Sequence, residues 1–200
     1  RLGNHINDRI RQGEKIYNFT IGDFAPSVFA IPQELEQLII EAYQQHYTNY
    51  PPGDGVLELR KSVCAFIEHF EGIHYELDEI LIASGGRPLI YTIFKSIVDE
   101  GDQVIYAVPS WNNNHYTHLN NAQHCVIETT PENNFMPLAA DIEKHISKAV
   151  LICLCTPQNP TGTTLSRTEL EKICDIIIAE NKRRTNEEKK VYLMFDQMYW

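Results

Sequence analysis

Several features are scarce in this 200-residue sequence, and each scarcity excludes something. Positive charge is in the minority, 17 Lys and Arg against 27 Asp and Glu, for a formal charge of −10 at pH 7. That balance argues against nucleic acid as a partner, since duplex phosphates require a basic face. No apolar run approaches the ~18 residues that span a bilayer, and no secretory h-region follows Arg1, so no membrane partner is expected and the cytoplasm is the expected compartment. Cysteines are few and odd in number (Cys64, Cys125, Cys153, Cys155, Cys174), with no C-x-x-C. They read as buried thiols in a reducing compartment, with Cys153 and Cys155 on one face if their run is a strand. His115 and His118 lack the Glu of an H-E-x-x-H pattern, so no metal site is expected. Neither G-x-G-x-x-G nor G-x-x-x-x-G-K-[ST] occurs, which weakens a nicotinamide or P-loop reading. The sequon Asn18-Phe19-Thr20 means little without a secretion signal. Internal repeats and low-complexity tracts are absent, and the run from Lys182 to Lys190 mixes both signs, as a solvated helix-to-strand loop does.

What is present is ordinary globular material: 43% hydrophobic and 22% charged residues, which excludes a disordered or collagen-like chain. The length allows one large domain, or one domain with part of a second. Helical periodicity runs from Ile31-Pro32 to Tyr47 and from Val56 to Phe70, around the Pro- and Gly-rich loop Asn49–Gly55. Thereafter short apolar strands alternate with helices. Strands are expected at Glu79–Ala83, Gln103–Val108, His124–Glu128, Ala149–Cys155 and Val191–Phe195. Helices are expected at Arg87–Val98, Ser110–Asn121, Leu138–Ile146 and Ser166–Asn181, the last opened by a capping box of Ser166 and Glu169. This alternation predicts an α/β fold in three layers, a mainly parallel sheet with helices on both faces.

In such sheets ligands sit beyond the carboxyl ends of the strands. The residues expected there are Ser84-Gly85-Gly86-Arg87, Pro109-Ser110-Trp111, Pro157-Gln158-Asn159-Pro160-Thr161-Gly162 and Asp196-Gln197-Met198-Tyr199. Glycines ahead of a helix let backbone N–H groups reach an anion, and Arg87 adds a cation. Trp111 could stack on a flat heteroaromatic ring. A carboxylate at a strand tip, as at Asp196, needs a partner, and a protonated pyridine nitrogen is one. Taken singly, each has a plain alternative: an ordinary βα turn at Gly85–Arg87, a half-buried core Trp111, turn chemistry at Asn159, a helix cap at Asp196 and a core Tyr199.

Together these segments resemble the fold-type I pyridoxal phosphate enzymes, specifically the class I/II aminotransferases of the aspartate aminotransferase kind. Ile21-Gly22-Asp23-Phe24 resembles a divergent form of the family's Gly-Glu-Pro-Asp-Phe segment. Tyr50-Pro51-Pro52-Gly53-x-Gly55 with Leu59-Arg60 resembles its Tyr-x-Pro-x-x-Gly…Leu-Arg segment, Asn159-Pro160-Thr161-Gly162 its Asn-Pro-Thr-Gly loop and Asp196-x-x-Tyr199 its Asp-x-x-Tyr. The resemblance implies pyridoxal 5'-phosphate as cofactor and a residue-by-residue assignment. Asp196 would pair with the pyridine nitrogen. Asn159 and Tyr199 would hydrogen-bond the phenolic oxygen, and Trp111 would stack on the ring. Gly85, Gly86 and Arg87 would hold the phosphate. Tyr50 would reach the phosphate of a neighbouring subunit, implying a homodimer, and Gly22 would line the substrate carboxylate pocket.

The family's Schiff-base lysine follows the Asp-x-x-Tyr segment, and its carboxylate-binding arginine lies nearer the C-terminus. Neither has a counterpart before Trp200. The expectation is therefore the N-terminal half of an enzyme of amino acid metabolism, inactive as this piece alone. Residues 1–45 would contribute to a small domain, and 46–200 would form an incomplete cofactor-binding large domain. The expected reaction moves an amino group between an amino acid and a 2-oxo acid. The alternatives are a fold-type I lyase, such as a C–S lyase, or a non-catalytic module of the same fold.

Overall fold

The computed structural model describes residues 2–18, 22 and 24–199. Phe19, Thr20, Ile21 and Asp23 lie outside them, and with them most of the sequon and of the segment around Gly22. The chain divides into two compact units, Arg1–Gly53 and Asp54–Trp200. The first holds α1 (Leu2–Arg11), for which the sequence offered no expectation, and α2 (Gln33–Gln44). Pro32 precedes the first turn of α2, where a missing N–H has little consequence.

The second unit opens with α3 (Leu57–Glu71), which ends on Gly72 in the left-handed conformation. Arg60 on α3 ties the preceding loop down, with its guanidinium on the Asp54 carboxylate and on the Leu77 carbonyl. Gly55, at φ +102°, lies so close to Ile82 that an added Cβ would be 2.5 Å from the Ile82 Cβ. The Ile82 N–H donates to the Asp54 carbonyl at 3.0 Å. The expected strand Glu79–Ala83 does not form. A 3-10 turn covers Leu77–Glu79, and Ile80 is extended, but among the described residues no strand lies beside 80–83 to complete a ladder.

The remaining elements are α4 (Gly86–Ile97), β1 (Gln103–Val108), α5 (Asn113–Leu119), β2 (Gln123–Glu128), α6 (Ala139–Glu143), β3 (Ala149–Cys155), α7 (Arg167–Arg183) and β4 (Tyr192–Asp196). The strands form one parallel sheet in the order β2-β1-β3-β4. Alternate residues of the central strands feed opposite faces, as the pleat requires. Ile105, Ile152 and Leu154 pack with Ile142, Ile173 and Ile177 beneath α6 and α7. Val104, Tyr106, Leu151 and Cys153 pack with Phe94 and Tyr116 beneath α4 and α5. Fully buried side chains such as Phe94, Ile105, Leu151 and Ile152 each contribute about 1.5–3 kcal/mol of transfer free energy. The three-layer α/β expectation holds on these two cores.

Two local expectations change. Ser166 caps α7 by accepting from the Glu169 N–H at 3.2 Å, but Glu169 does not complete the box. Its carboxylate instead accepts from the Ala139 N–H at 3.0 Å, satisfying a free donor at the start of α6. The segment expected to form one helix over Leu138–Ile146 breaks into α6 and a 3-10 turn at Ile146–Lys148.

Candidate functional site

The strand order reverses between β1 and β3: from β1 the chain moves outward to β2, then crosses back to β3 and continues to β4. At such a switch point the loops leaving two neighbouring strands diverge and open a crevice at their carboxyl ends. Pro109–Trp111 leaves β1 here and Pro157–Gly162 leaves β3, with Asp196 one strand further at the tip of β4.

The Gly-rich turn meets this crevice through α4. Gly85 is the residue before the helix and sits at φ +101°, a conformation glycine adopts without strain. A Cβ on Gly86 would lie 3.3 Å from the Met198 Cε, so the start of α4 abuts the loop that follows β4. Pro88 occupies the first turn and has no N–H, leaving those of Gly86 and Arg87 as its free donors. The Arg87 guanidinium lies 5.5 Å from the centroid of the Trp111 ring, a cation–π distance. Among the described residues it makes no ion pair.

Asp196 pairs in register with Cys155 at the ends of β4 and β3. Its Oδ1 accepts from the Met198 N–H at 3.2 Å, and among the described residues no cation neutralises it. Its charge is felt nearby. Burial first, and then Asp196, pushes the Cys153 thiol far above its ordinary value. Cys155 is pushed up by burial, partly offset by the Asn159 backbone N–H, with Asp196 adding a further push. Both thiols stay protonated near neutrality.

Asn159 and Tyr199 meet at a third point. A cavity of about 230 Å³ is lined by Pro157, Gln158, Asn159, Pro160, Gly162 and Tyr199. Trp111 and Tyr199 each keep about half their surface exposed (48% and 49%), so their rings are available to a ligand. Thus Asn159 and Tyr199 line one cavity, Arg87 and Trp111 meet each other, and Gly86 and Asp196 both adjoin Met198, while Gly85 precedes the helix that carries Gly86 and Arg87. Larger hollows of about 450 and 510 Å³ run over α6 and α7, lined by the ion pairs Glu169–Lys172 and Glu180–Arg183 together with Glu143 and Asp175. Gly22 and Tyr50 belong to the first unit; Gly22 has open space around it, and Tyr50 is fully exposed.

Gln158 and Met198 carry no role in the sequence reading. Gln158 is buried at 5% exposure, which its polar side chain allows only with a partner, and that partner is the Pro109 carbonyl on the neighbouring loop. A polar residue immediately before Asn-Pro-Thr-Gly was the available signal. Lysine is missing from the crevice among the described residues. At the opposite end of β4, Lys189 binds Asp99 and Asp102, and Lys190 caps the carbonyls of Asn181 and Arg184.

The chain is thus a three-layer α/β protein with a parallel sheet, in which an arginine at a helix start and a carboxylate at a strand end make no ion pair among the described residues. Residues 14–200 match the aminotransferase class I and II family, and the chain belongs to it. It is 31% identical over 155 residues to an aspartate aminotransferase of Bacillus sp. strain YM-2, covering 76% of this chain and 40% of that protein. It is 28% identical to the aspartate aminotransferase of Pyrococcus horikoshii, covering 96% of this chain and 46% of that one. The crystal structure of the Rhizobium meliloti aspartate aminotransferase superposes with a TM-score of 0.84 at 24% identity, over 98% of this chain and 47% of that one. The fold is therefore that of aspartate aminotransferase structures, and the chain spans less than half the length of these relatives.

Proposed function

We propose that the full-length protein uses pyridoxal 5'-phosphate to transfer an amino group between an amino acid and a 2-oxo acid. The observation that carries this reading is a complementary pair at the carboxyl edge of the sheet: among the described residues, Arg87 is a cation without an anion and Asp196 a carboxylate without a cation. Pyridoxal phosphate offers a dianionic phosphate to the first and a basic ring nitrogen to the second. The flat space between them is flanked by Trp111, and the Asn159 amide and Tyr199 phenol are the donors a phenolic oxygen would need. These residue types fit the cofactor.

When bound, the cofactor supplies an electron sink for charge developing at the substrate Cα. The chain's own residues have the simpler tasks of binding and polarising. The N–H groups at the start of α4 and the Arg87 guanidinium bind the phosphate. Asp196 holds a proton on the pyridine nitrogen, because a carboxylate against a ring N–H favours the charged form. Asn159 and Tyr199 donate to the phenolic oxygen, and Trp111 covers one ring face and excludes water from it. Gly22 lines the substrate carboxylate pocket, and the full exposure of Tyr50 suits a phenol that reaches the phosphate site of a second copy. Residues 46–200 act as the cofactor-binding domain, with 1–45 contributing to the smaller one. The five free cysteines suit the cytoplasm.

The test is a product assay on the full-length protein with pyridoxal phosphate, candidate amino acids and a 2-oxo acid. A new amino acid formed in equal amount to the 2-oxo acid released from the donor is expected. Ammonia without a new amino acid would replace the transferase with a lyase, and no turnover with any donor would reject the enzymatic reading.

A further inference from the structure

Gln158 is held at three points, two within its own loop and one on the neighbouring loop. Its backbone N–H donates to the Thr163 carbonyl at 2.8 Å, and its carbonyl accepts from the Gly162 N–H at 2.7 Å. These two bonds close Asn159–Gly162 into one rigid turn. Its side chain then leaves that turn, crosses the switch point and donates from Nε2 to the Pro109 carbonyl, 49 residues away in the chain. Pro109 has no N–H of its own to donate, and the preceding Val108 carbonyl is already taken by the Thr129 N–H and hydroxyl. The loop carrying Trp111 is thus joined to the loop carrying Asn159 by a buried amide at 5% exposure.

We propose that Gln158 is a positioning residue whose side-chain bridge across the β1–β3 switch point sets the spacing between the stacking ring of Trp111 and the amide of Asn159. This rests on the cofactor reading above, since it is the cofactor's ring and phenolic oxygen that measure that spacing. The physical reason is local. Loops leaving strands on either side of a switch point diverge, and a crevice wall made of two diverging loops needs a cross-link to hold a ligand geometry to a fraction of an ångström. A buried amide that loses its acceptor also leaves the Pro109 carbonyl unpaired, so the crevice relaxes by rearranging the loop rather than by tolerating the gap.

The experiment is cofactor titration of the full-length wild type, Gln158→Leu and Gln158→Glu. Affinity and the visible circular dichroism of the bound cofactor, which reports its ring orientation, are read alongside the far-ultraviolet spectrum and Tm. Gln158→Leu keeps the volume and loses the donor; about tenfold weaker binding and a reduced visible dichroic signal are expected, with secondary structure retained. Gln158→Glu can donate to the Pro109 carbonyl only when protonated. Its affinity should approach wild type at acid pH and fall as the carboxyl ionises, a pH dependence that wild type lacks. That profile decides the matter should the leucine variant fold poorly. Wild-type affinity and dichroism in both variants, with no added pH dependence, would overturn the positioning role while leaving the cofactor reading intact. Failure of the wild type itself to bind pyridoxal phosphate would overturn the cofactor reading, and this inference with it.

Discussion

At the scale of single residues, the crevice depends on groups left unneutralised by the fold. Asp196 is the sharpest case: its carboxylate accepts from the Met198 N–H, and no cation answers its charge among the described residues. An Asp196→Asn change should preserve that turn, because the amide oxygen still accepts, while removing the negative charge. Turnover of the full-length protein is expected to fall by orders of magnitude with Tm within a few degrees of wild type; near-normal turnover would contradict the role. Gly55 shows the opposite kind of dependence, on space rather than charge. Gly55→Ala places a Cβ 2.5 Å from the Ile82 Cβ at a φ of +102°, and should destabilise the protein by about 1–3 kcal/mol, read as a lower denaturation midpoint. Residues of this sort differ in legibility. Asn159, Asp196 and Tyr199 could be picked out from sequence because their chemistry is carried by residue type and order. Gln158 could not be given its role, because its meaning depends on a carbonyl 49 residues away.

At the scale of elements, legibility followed hydrophobic continuity. Both β1 and β3 form over the expected residues, since a strand buried on both faces must be apolar throughout. The segment 80–83 has the same apolar look but, among the described residues, no neighbour to pair with, and a ladder is a property of two segments, not one. The Glu169 side chain was misassigned for a related reason: its competing acceptor role lies on α6, across the fold from Ser166. Helix α7 carries its own pH response near its C-terminal end. The hydrogen bonds from Arg183, followed by those from Arg184, hold the buried Glu180 carboxyl down to about 2 against the opposing effect of burial. A carboxyl whose folded pKa is depressed adds stability above its unfolded value near 4.5, and that stability is lost as pH falls toward 2. Unfolding midpoints should therefore drop between pH 5 and pH 2 in wild type by on the order of 2 kcal/mol more than in Glu180→Gln, which cannot titrate. Equal acid sensitivity of the two proteins would remove Glu180 from the account.

At the scale of the whole molecule, the fold brings the loops leaving three parallel strands to one edge of the sheet, where Arg87 and Asp196 stand in the proposed site with, among the described residues, no lysine. In the proposed reaction that lysine comes from a part of the full-length protein outside residues 1–200. Borohydride reduction of the full-length protein with pyridoxal phosphate, followed by peptide mapping, should label one lysine outside this stretch; specific labelling of Lys189 or Lys190 would contradict the arrangement, since both are bound at the far end of β4. The role proposed for Tyr50 is the least legible part, because it would concern a second copy of the chain, which no single sequence describes. The central claim, that the β4 carboxylate keeps the cofactor's ring nitrogen protonated, is open to direct measurement by 15N NMR of pyridoxal phosphate labelled at that nitrogen. The account predicts a pyridinium shift in the wild-type full-length protein and a neutral-pyridine shift in Asp196→Asn at the same pH. The same shift in both proteins would contradict it.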